Sequence, residues 1–431
     1  SLLKGRSVTP YYIGRGWCQV YPDTAWQTVE AFLADDRSRL KDCVVLLKGP
    51  SDAGFSRITK SLERNVHETI LNVDLQAVTA NFNHYRRMLR PGVQTICMVK
   101  ADAYGAGAVM VSKQLQLSGA DYLAVAVADE GVELRKAGIT KPIIVMNPEM
   151  HALRTLFAYN LQPEVYSFRL FDALVREARS EGVTDFPIHI KLDTGMHRLG
   201  FDVDKDMTEL VRSMRKQKAL LPISVFSHFV GADDDAFDDF SEIQYNIFMK
   251  GADALQAAFP HHILRHICNS AAIEHFPQRQ LDMVRLGLGL YGINPRGNAL
   301  IHPVSQLTTT ILQIHELDEG ETVGYGRHTT LERKSRIAAI PIGYADGLNR
   351  RLGNRKGYCI VNGRRADYVG NICMDVAMID VTDIRCKEGD RAVIFGSDRI
   401  PVTALSEALG TIPYEILTSV SNRVQRIYFR E

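Results

Sequence analysis

The chain predicts an α/β fold: a (β/α)8 TIM barrel followed by a mainly antiparallel β domain, with a short α/β segment in front. Three observations carry this. Eight short apolar runs bounded by breakers recur between Thr95 and Gly287. Segments of helical period separate them, and alternating β and α units of that number close a parallel barrel. After NPRGN (Asn294–Asn298) the texture changes to short alternating runs, as expected of antiparallel strands.

In chain order, residues 1–65 hold a predicted helix, TAWQTVEAFLADDRSRL from Thr24, and a predicted strand, CVVLLKG from Cys43. That is too little chain for an independent core, so it reads as an α/β fragment and linker. Asp74 can cap a helix whose Leu75, Val78, Phe82, Tyr85 and Leu89 form one apolar stripe. The barrel, residues 66–298, draws its strands from TICMV (Thr95), DYLAVAV (Asp121), PIIVMN (Pro142), LQPEVYS (Leu161), FPIHIKLD (Phe186), ISVFSHF (Ile223), HILRHI (His262) and LDMVRLG (Leu281). Between the fourth and fifth, FRLFDALVREARSEG puts Leu170, Leu174, Val175 and Ala178 on one face, with Gly182 as its stop. Residues 299–431 supply QLTTTILQI, SRIAAIPI, GYCIVNG, DVAMIDV, RAVIFG and RVQRIYF as strands of the β domain.

Composition excludes several classes. With a formal net charge of +1 over 431 residues, no global field draws nucleic acid or an anionic membrane. The acidic run Gly231–Phe240 and the basic run Asn349–Gly357 read as solvated faces. The seven cysteines are scattered with no CxxC pair, which points to a reducing compartment and no metal site. No apolar stretch reaches the ~20 residues of a membrane span, and the opening residues do not read as a signal peptide. A cytoplasmic location is expected.

Barrel enzymes place their chemistry at the C-terminal ends of the strands. Lys100 ends the first strand, in VKADAYGAG. An amine there has an apolar floor and an open top, which favours its neutral, nucleophilic form. Lys191 lies near the end of the fifth strand with Arg198 beyond it, His228 closes the sixth, Asn269 and Ser270 close the seventh, and Arg285 lies in the eighth. GLGLYG (Gly287–Gly292) matches a dinucleotide fingerprint, but Asn294 and Pro295 follow where a helix is required, so that reading fails. Its backbone N–H groups instead suit a phosphate, which barrels commonly bind after the eighth strand. A phosphate cradle opposite a strand-end lysine suggests a phosphorylated aldehyde held as a Schiff base, and pyridoxal 5′-phosphate fits.

The ordered series VKADAYGAG, KLDTGMHRLGF, CNSAA, VRLGLGLYG, VGYGRH, PIGYADG and GNICMDVAMIDVTD resembles the alanine racemase family over roughly residues 67–431. The resemblance implies that Lys100 carries the cofactor and works as acid/base on one face of the substrate Cα, with Tyr325 on the other. It implies Arg285 against the pyridine nitrogen, with His228 beside the ring and His266 in the same network. Phosphate ligands would be Tyr104, Ser270, the backbone at Gly287 and Leu288, and Tyr344, with Asn269 alongside. Arg198 would bind the cofactor phenolate and substrate carboxylate. Lys191, often carbamylated in the family, would orient Arg198, and Met374 and Asp375 would meet the carboxylate across a homodimer interface. Two departures stand out: Ala106 where the family has histidine, and Leu286 where it has proline.

The resemblance further implies D-alanine supply to peptidoglycan. DCVVLLKGPSDAG near Asp42 resembles the C-terminal tail of the ligase joining D-alanyl-D-alanine to the UDP-muramoyl tripeptide, an arrangement known as a fusion; lacking a Walker loop, the chain is expected to have no ligase activity. Other readings are a racemase preferring serine, a pyridoxal-phosphate decarboxylase, a noncatalytic pyridoxal-phosphate carrier, and a leading segment that serves as an interaction module.

Overall fold

The computed structural model describes residues 9–34, 45–49, 55, 58, 68–294, 296–297 and 301–430. Eight strands form the barrel: Gln94–Met98, Tyr122–Val125, Ile143–Val145, Leu161–Val165, Phe186–Asp193, Leu220–Phe226, Leu264–His266 and Met283–Leu286. Each hydrogen-bonds in parallel to its neighbour, and the eighth pairs with the first through Met283 opposite Gln94. Asp282 N donates to Arg265 O (3.1 Å) and Arg285 N to Cys268 O (3.0 Å), which brings the seventh and eighth together and closes the ring. The strands are nearly continuous apolar runs because helices cover the sheet's outer face while its inner face lines the barrel core. All eight expected runs become strands, the HILRHI run only over its last residues, Leu264–His266.

The helix after Asp74 runs Leu75–Arg87, and the Asp74 carboxylate accepts from Gln76 N (2.8 Å) and Ala77 N (3.0 Å). The helix Phe168–Ser180 is capped by Ser167 and ends two residues before Gly182. Leu170, Leu174, Val175 and Ala178 are buried on its inner face.

The β domain differs from expectation in three respects. Its six-stranded sheet runs Arg364–Asp367, Tyr358–Val361, Arg391–Phe395, Ser305–Thr310, Ile70–Asp74, Gln425–Phe429. Ile70–Asp74, grouped by sequence with the barrel, therefore belongs to this sheet. Its pairing with Gln425–Phe429 is parallel, in an otherwise antiparallel arrangement. Two helices, Val402–Leu409 and Pro413–Thr418, stand between the expected strands RAVIFG and RVQRIYF, where no element was expected. A second sheet joins Gln313–Leu317, Ser335–Ile340 and Ala377–Asp380. One cluster of buried apolar side chains runs from the barrel into the β domain, so the two share a core.

In the leading segment Ala25–Trp26 pairs with Tyr12–Ile13, and the helix covers Val29–Ala34. Thr24–Thr28, expected as the start of that helix, are not helical; residues 35–40 of it, and Cys43 and Val44 of the expected strand, lie outside the described residues. Val45–Lys48 carry no regular structure, so the described part of CVVLLKG is not a strand.

Candidate active site

The loop that carries Lys100 is a left-handed turn. Ala101, Asp102, Ala103 and Tyr104 have φ between 51° and 55°, a conformation that costs L-residues roughly 1–2 kcal/mol each. Such strain persists only where the surroundings hold it. Here Ala103 N donates to Val99 O (3.0 Å) and Gly105 N to Ala101 O (2.9 Å). Ala101 N reaches Glu130 Oε1 (2.6 Å) and Ala108 N reaches Asp102 Oδ1 (2.7 Å). The β domain clamps the far end, where Arg426 Nε donates to Gly105 O at 3.1 Å. A Cβ on Gly107, at φ 94°, would overlap the Tyr428 hydroxyl, so only glycine lets these two segments meet.

Lys100 opens into a cavity of about 580 Å³. Of the sequence-predicted residues, Lys100, Tyr104, Lys191, Arg198, His228, Asn269, Ser270, Arg285, Gly287 and Leu288 all line it. One end is a cradle of donors. Asn269 caps the helix Ser270–His275 through Ala272 N (3.0 Å), which sets Ser270 at the first turn. Ser270 Oγ accepts from Gly287 N at 2.9 Å. A Cβ on Gly287 would lie 3.2 Å from the Tyr104 hydroxyl, so the bare backbone keeps that hydroxyl, the Gly287 amide and Ser270 close together. The Tyr104 ring stacks on Tyr291 (centroids 4.5 Å), whose hydroxyl donates to Met98 O (2.7 Å). Burial, with Tyr414 adding, pushes the Tyr104 phenol up and keeps it a donor.

The other end is cationic. Arg285 is buried, and its guanidinium donates to His266 Nδ1 (2.9 Å), Ile267 O (2.8 Å), Ser227 O (2.6 Å) and His228 Nδ1 (3.2 Å). Burial brings its pKa down to about 10, which leaves it protonated at neutral pH. Burial first, and Arg285 second, hold both His228 and His266 well below the ordinary imidazole value, so both are neutral acceptors. His266 is buried behind Arg285, stacked on Phe226, and does not line the cavity. Lys191 packs its ammonium 4.4 Å from the Phe226 ring centre. Burial lowers the Lys191 pKa, reinforced by Arg285 and Arg198 and opposed by Glu164. The Lys100 pKa is likewise lowered, by burial and then by Arg198. Arg198 is set by a turn in which Asp193 Oδ1 accepts from Gly195 N and His197 N, both at 3.0 Å.

Four predicted residues lie elsewhere in this chain. Tyr325 is 73% exposed in a turn of the β domain, and Met374 is 53% exposed. Asp375 is also exposed and pairs with Arg423 at 2.7 Å. Tyr344 lines a separate cavity of about 250 Å³ beside Arg350 and Glu415. Tyr344 therefore does not join the cradle of its own chain, and the GYADG turn is tied by Tyr344 N to Cys373 O (3.1 Å). The tyrosine from the β domain that does enter the main cavity is Tyr414, with Ile412. Sequence reasoning also missed Glu164, a buried carboxyl in the same cavity. Burial raises its pKa against the opposing pull of Lys191, Arg285, Arg198 and Lys100. Its signal was a lone acid in a short strand-like run.

The acidic run is not merely a solvated face. Asp233 lines the cavity, Asp235 pairs with Arg296, and Asp238 contacts His275 Nε2 at 2.6 Å.

Comparison with known proteins decides the family. Residues 73–295 match the model for the alanine racemase N-terminal domain, and residues 304–428 match that for the alanine racemase C-terminal domain. The chain belongs to the alanine racemase family. It is 37% identical over 370 residues to an alanine racemase of Clostridium tetani, covering 83% of this chain and 95% of that protein. The alanine racemase structure from Clostridium difficile 630 superposes with a TM-score of 0.80 at 33% identity, covering 84% and 96% of the two chains. That from Bartonella henselae, with covalently bound pyridoxal phosphate, gives 0.76 at 29% identity over 84% and 99%. Barrel and β domain together thus correspond to nearly the whole of these alanine racemases.

Proposed function

We propose that this chain interconverts L- and D-alanine by a pyridoxal-phosphate-dependent two-base reaction, with each active site completed by a second copy of the chain. The observation that carries this is the half-buried Lys100 amine, its pKa lowered, in one cavity with a cradle of neutral donors and a charged arginine. The residues present fit the cofactor: Tyr104, Ser270, the Gly287 amide and Tyr414 suit a phosphate, and Lys100 a carbonyl carbon. Tyr414 takes the phosphate role that sequence gave Tyr344. When bound, the cofactor supplies an electron sink conjugated with the substrate Cα, which lowers the cost of removing its proton.

Lys100 Nζ accepts or returns that proton on one face. The phenol of Tyr325 from a second copy does so on the other, because inversion needs a group on each side. The exposure of Tyr325 and Met374 in one chain supports an interface that covers them. His228 accepts from Arg285 through Nδ1, which leaves its Nε2–H end for the incoming tyrosine. Arg285 keeps its proton, so it would not hand one to a ring nitrogen placed against it; the cofactor would then be a weaker electron sink, which would disfavour side reactions such as transamination. Arg198 binds the substrate carboxylate with the Met374 amide, and Asp375 lies beside it. The lowered Lys191 pKa favours the neutral amine that carbamylation requires, and the resulting anion would orient Arg198.

Among the described residues no helix is long and apolar enough to cross a membrane. We place the enzyme in the cytoplasm, making D-alanine for peptidoglycan, with residues 1–65 a remnant of a ligase tail that was once tethered to the ligase domain. The deciding experiment is racemisation of L-alanine in deuterated water with added pyridoxal phosphate, following optical activity and Cα deuterium together. Loss of chirality with matching deuterium uptake is expected. Serine turning over faster than alanine would shift the substrate, and no cofactor-dependent exchange would overturn the function.

A further inference from the structure

The hydrogen bonding of Arg285 does not end at His266. His266 Nε2 lies 3.1 Å from Ser224 Oγ, Ser224 Oγ lies 2.6 Å from His189 Nδ1, and His189 Nε2 lies 3.0 Å from Gln162 Oε1. All five residues are buried. They come from five consecutive barrel strands, the fourth to the eighth, with Ser224 directly opposite His189 in the strand register. Aromatic rings flank the belt: Phe226 stacks parallel to His266 at 4.7 Å, and Tyr122 meets His189 edge-on at 6.3 Å.

The proton positions follow from the donors. A guanidinium only donates, so His266 Nδ1 accepts and a neutral His266 carries its proton on Nε2. That proton goes to Ser224 Oγ. The Ser224 hydroxyl must then donate to His189 Nδ1, which places the His189 proton on Nε2, facing Gln162 Oε1. Turning the Gln162 amide round would reverse His189, leaving Ser224 with two donors aimed at it and its own hydrogen facing neither ring. One direction alone gives each proton an acceptor. Burial keeps both rings neutral, with Arg285 and Lys191 the cations near His266.

We infer that Gln162, His189 and Ser224 are positioning residues: they lock His266 as an acceptor and thereby hold the Arg285 guanidinium at the cofactor ring. This rests on the reading of Arg285 as the partner of the ring nitrogen. The opposite His266 tautomer would point an N–H at an Arg285 N–H, so loss of the belt lets the guanidinium turn away.

The test uses the full chain with histidine labelled by nitrogen-15, with and without pyridoxal phosphate at neutral pH. Wild type is expected to show unprotonated Nδ1 and protonated Nε2 in both His189 and His266. In His189→Leu the Ser224 hydroxyl loses its acceptor, and His266 is expected to become a mixture of tautomers. Alanine racemisation kcat is expected to fall roughly 10-fold, the scale typical for outer-layer partners of a site, with KM little changed. His189→Gln, whose amide can accept from Ser224 and donate to Gln162, is expected to restore both. Ser224→Ala, which removes one oxygen, should reproduce the loss if His189→Leu fails to fold. A protonated His266 Nδ1 in wild type, or a wild-type His266 signal and kcat in both breaking variants, would overturn the inference. The expected tautomers in a protein that does not racemise alanine would support the belt and count against the enzyme function instead.

Discussion

The Tyr414 ring lies 5.6 Å from the Tyr104 ring inside the cavity that holds Lys100, although Tyr414 belongs to the last helix of the β domain. Tyr344, from the same domain, lines a different cavity. A hydroxyl that donates to a bound dianion contributes about 1.5–3 kcal/mol, roughly 10-fold or more in affinity. Tyr414→Phe is therefore expected to weaken pyridoxal phosphate binding by that factor, and Tyr344→Phe to leave it nearly unchanged. Titration of cofactor-stripped protein by intrinsic fluorescence measures both.

The Tyr428 hydroxyl fills the space beside Gly107, and the residue's φ of 94° admits few side chains. Gly107→Ala is expected to destabilise the fold by about 2–4 kcal/mol through overlap and backbone strain. Adding Tyr428→Phe, which removes the overlapping oxygen, is expected to recover part of that loss. Urea denaturation of the single and double variants is the measurement.

Burial holds the native His189 pKa at about 3, against an unfolded value near 6.5. The unfolded chain therefore binds more protons below that value, and the contribution of His189 to stability is fully present above about pH 6.5 and lost as pH falls. His228 and His266 act in the same direction. Glu164, with a raised pKa, acts in the opposite one. Comparing wild type with His189→Gln isolates one residue. Below about pH 6 the stability of the wild type is expected to fall more steeply, by up to about 1.4 kcal/mol per pH unit. Parallel pH profiles from urea midpoints would contradict a neutral buried His189.

Much of this architecture was legible because the barrel strands are unbroken apolar runs of the right length, as TICMV and FPIHIKLD show. The strand Ile70–Asp74 was not, because its partners, Ser305–Thr310 and Gln425–Phe429, lie far along the chain and no local pattern names them. The left-handed turn at Ala101–Tyr104 contains no glycine, so nothing in the residues themselves announces it; backbone N–H groups donating to the Glu130 and Asp102 carboxylates hold it. Rim residues such as Ser270 and Arg285 were legible because strand ends point at the site. Tyr414 was not, since entry into the barrel depends on how the helix Pro413–Thr418 docks, and Tyr344 sits in an equally suggestive motif. The His189–Ser224 contact lies below the rim, where polar residues in a strand read as packing.

In the proposed reaction Lys100 and Tyr325 act on one substrate from two copies of the chain. Lys100→Ala and Tyr325→Phe are each expected to be nearly inactive alone. Mixed one to one and allowed to exchange subunits, they form a dimer in which one site carries both defects and the other carries none. Random pairing in a twofold dimer then restores about one quarter of wild-type alanine racemisation. No recovery after verified subunit exchange would show that both groups act within a single chain, and would contradict the account.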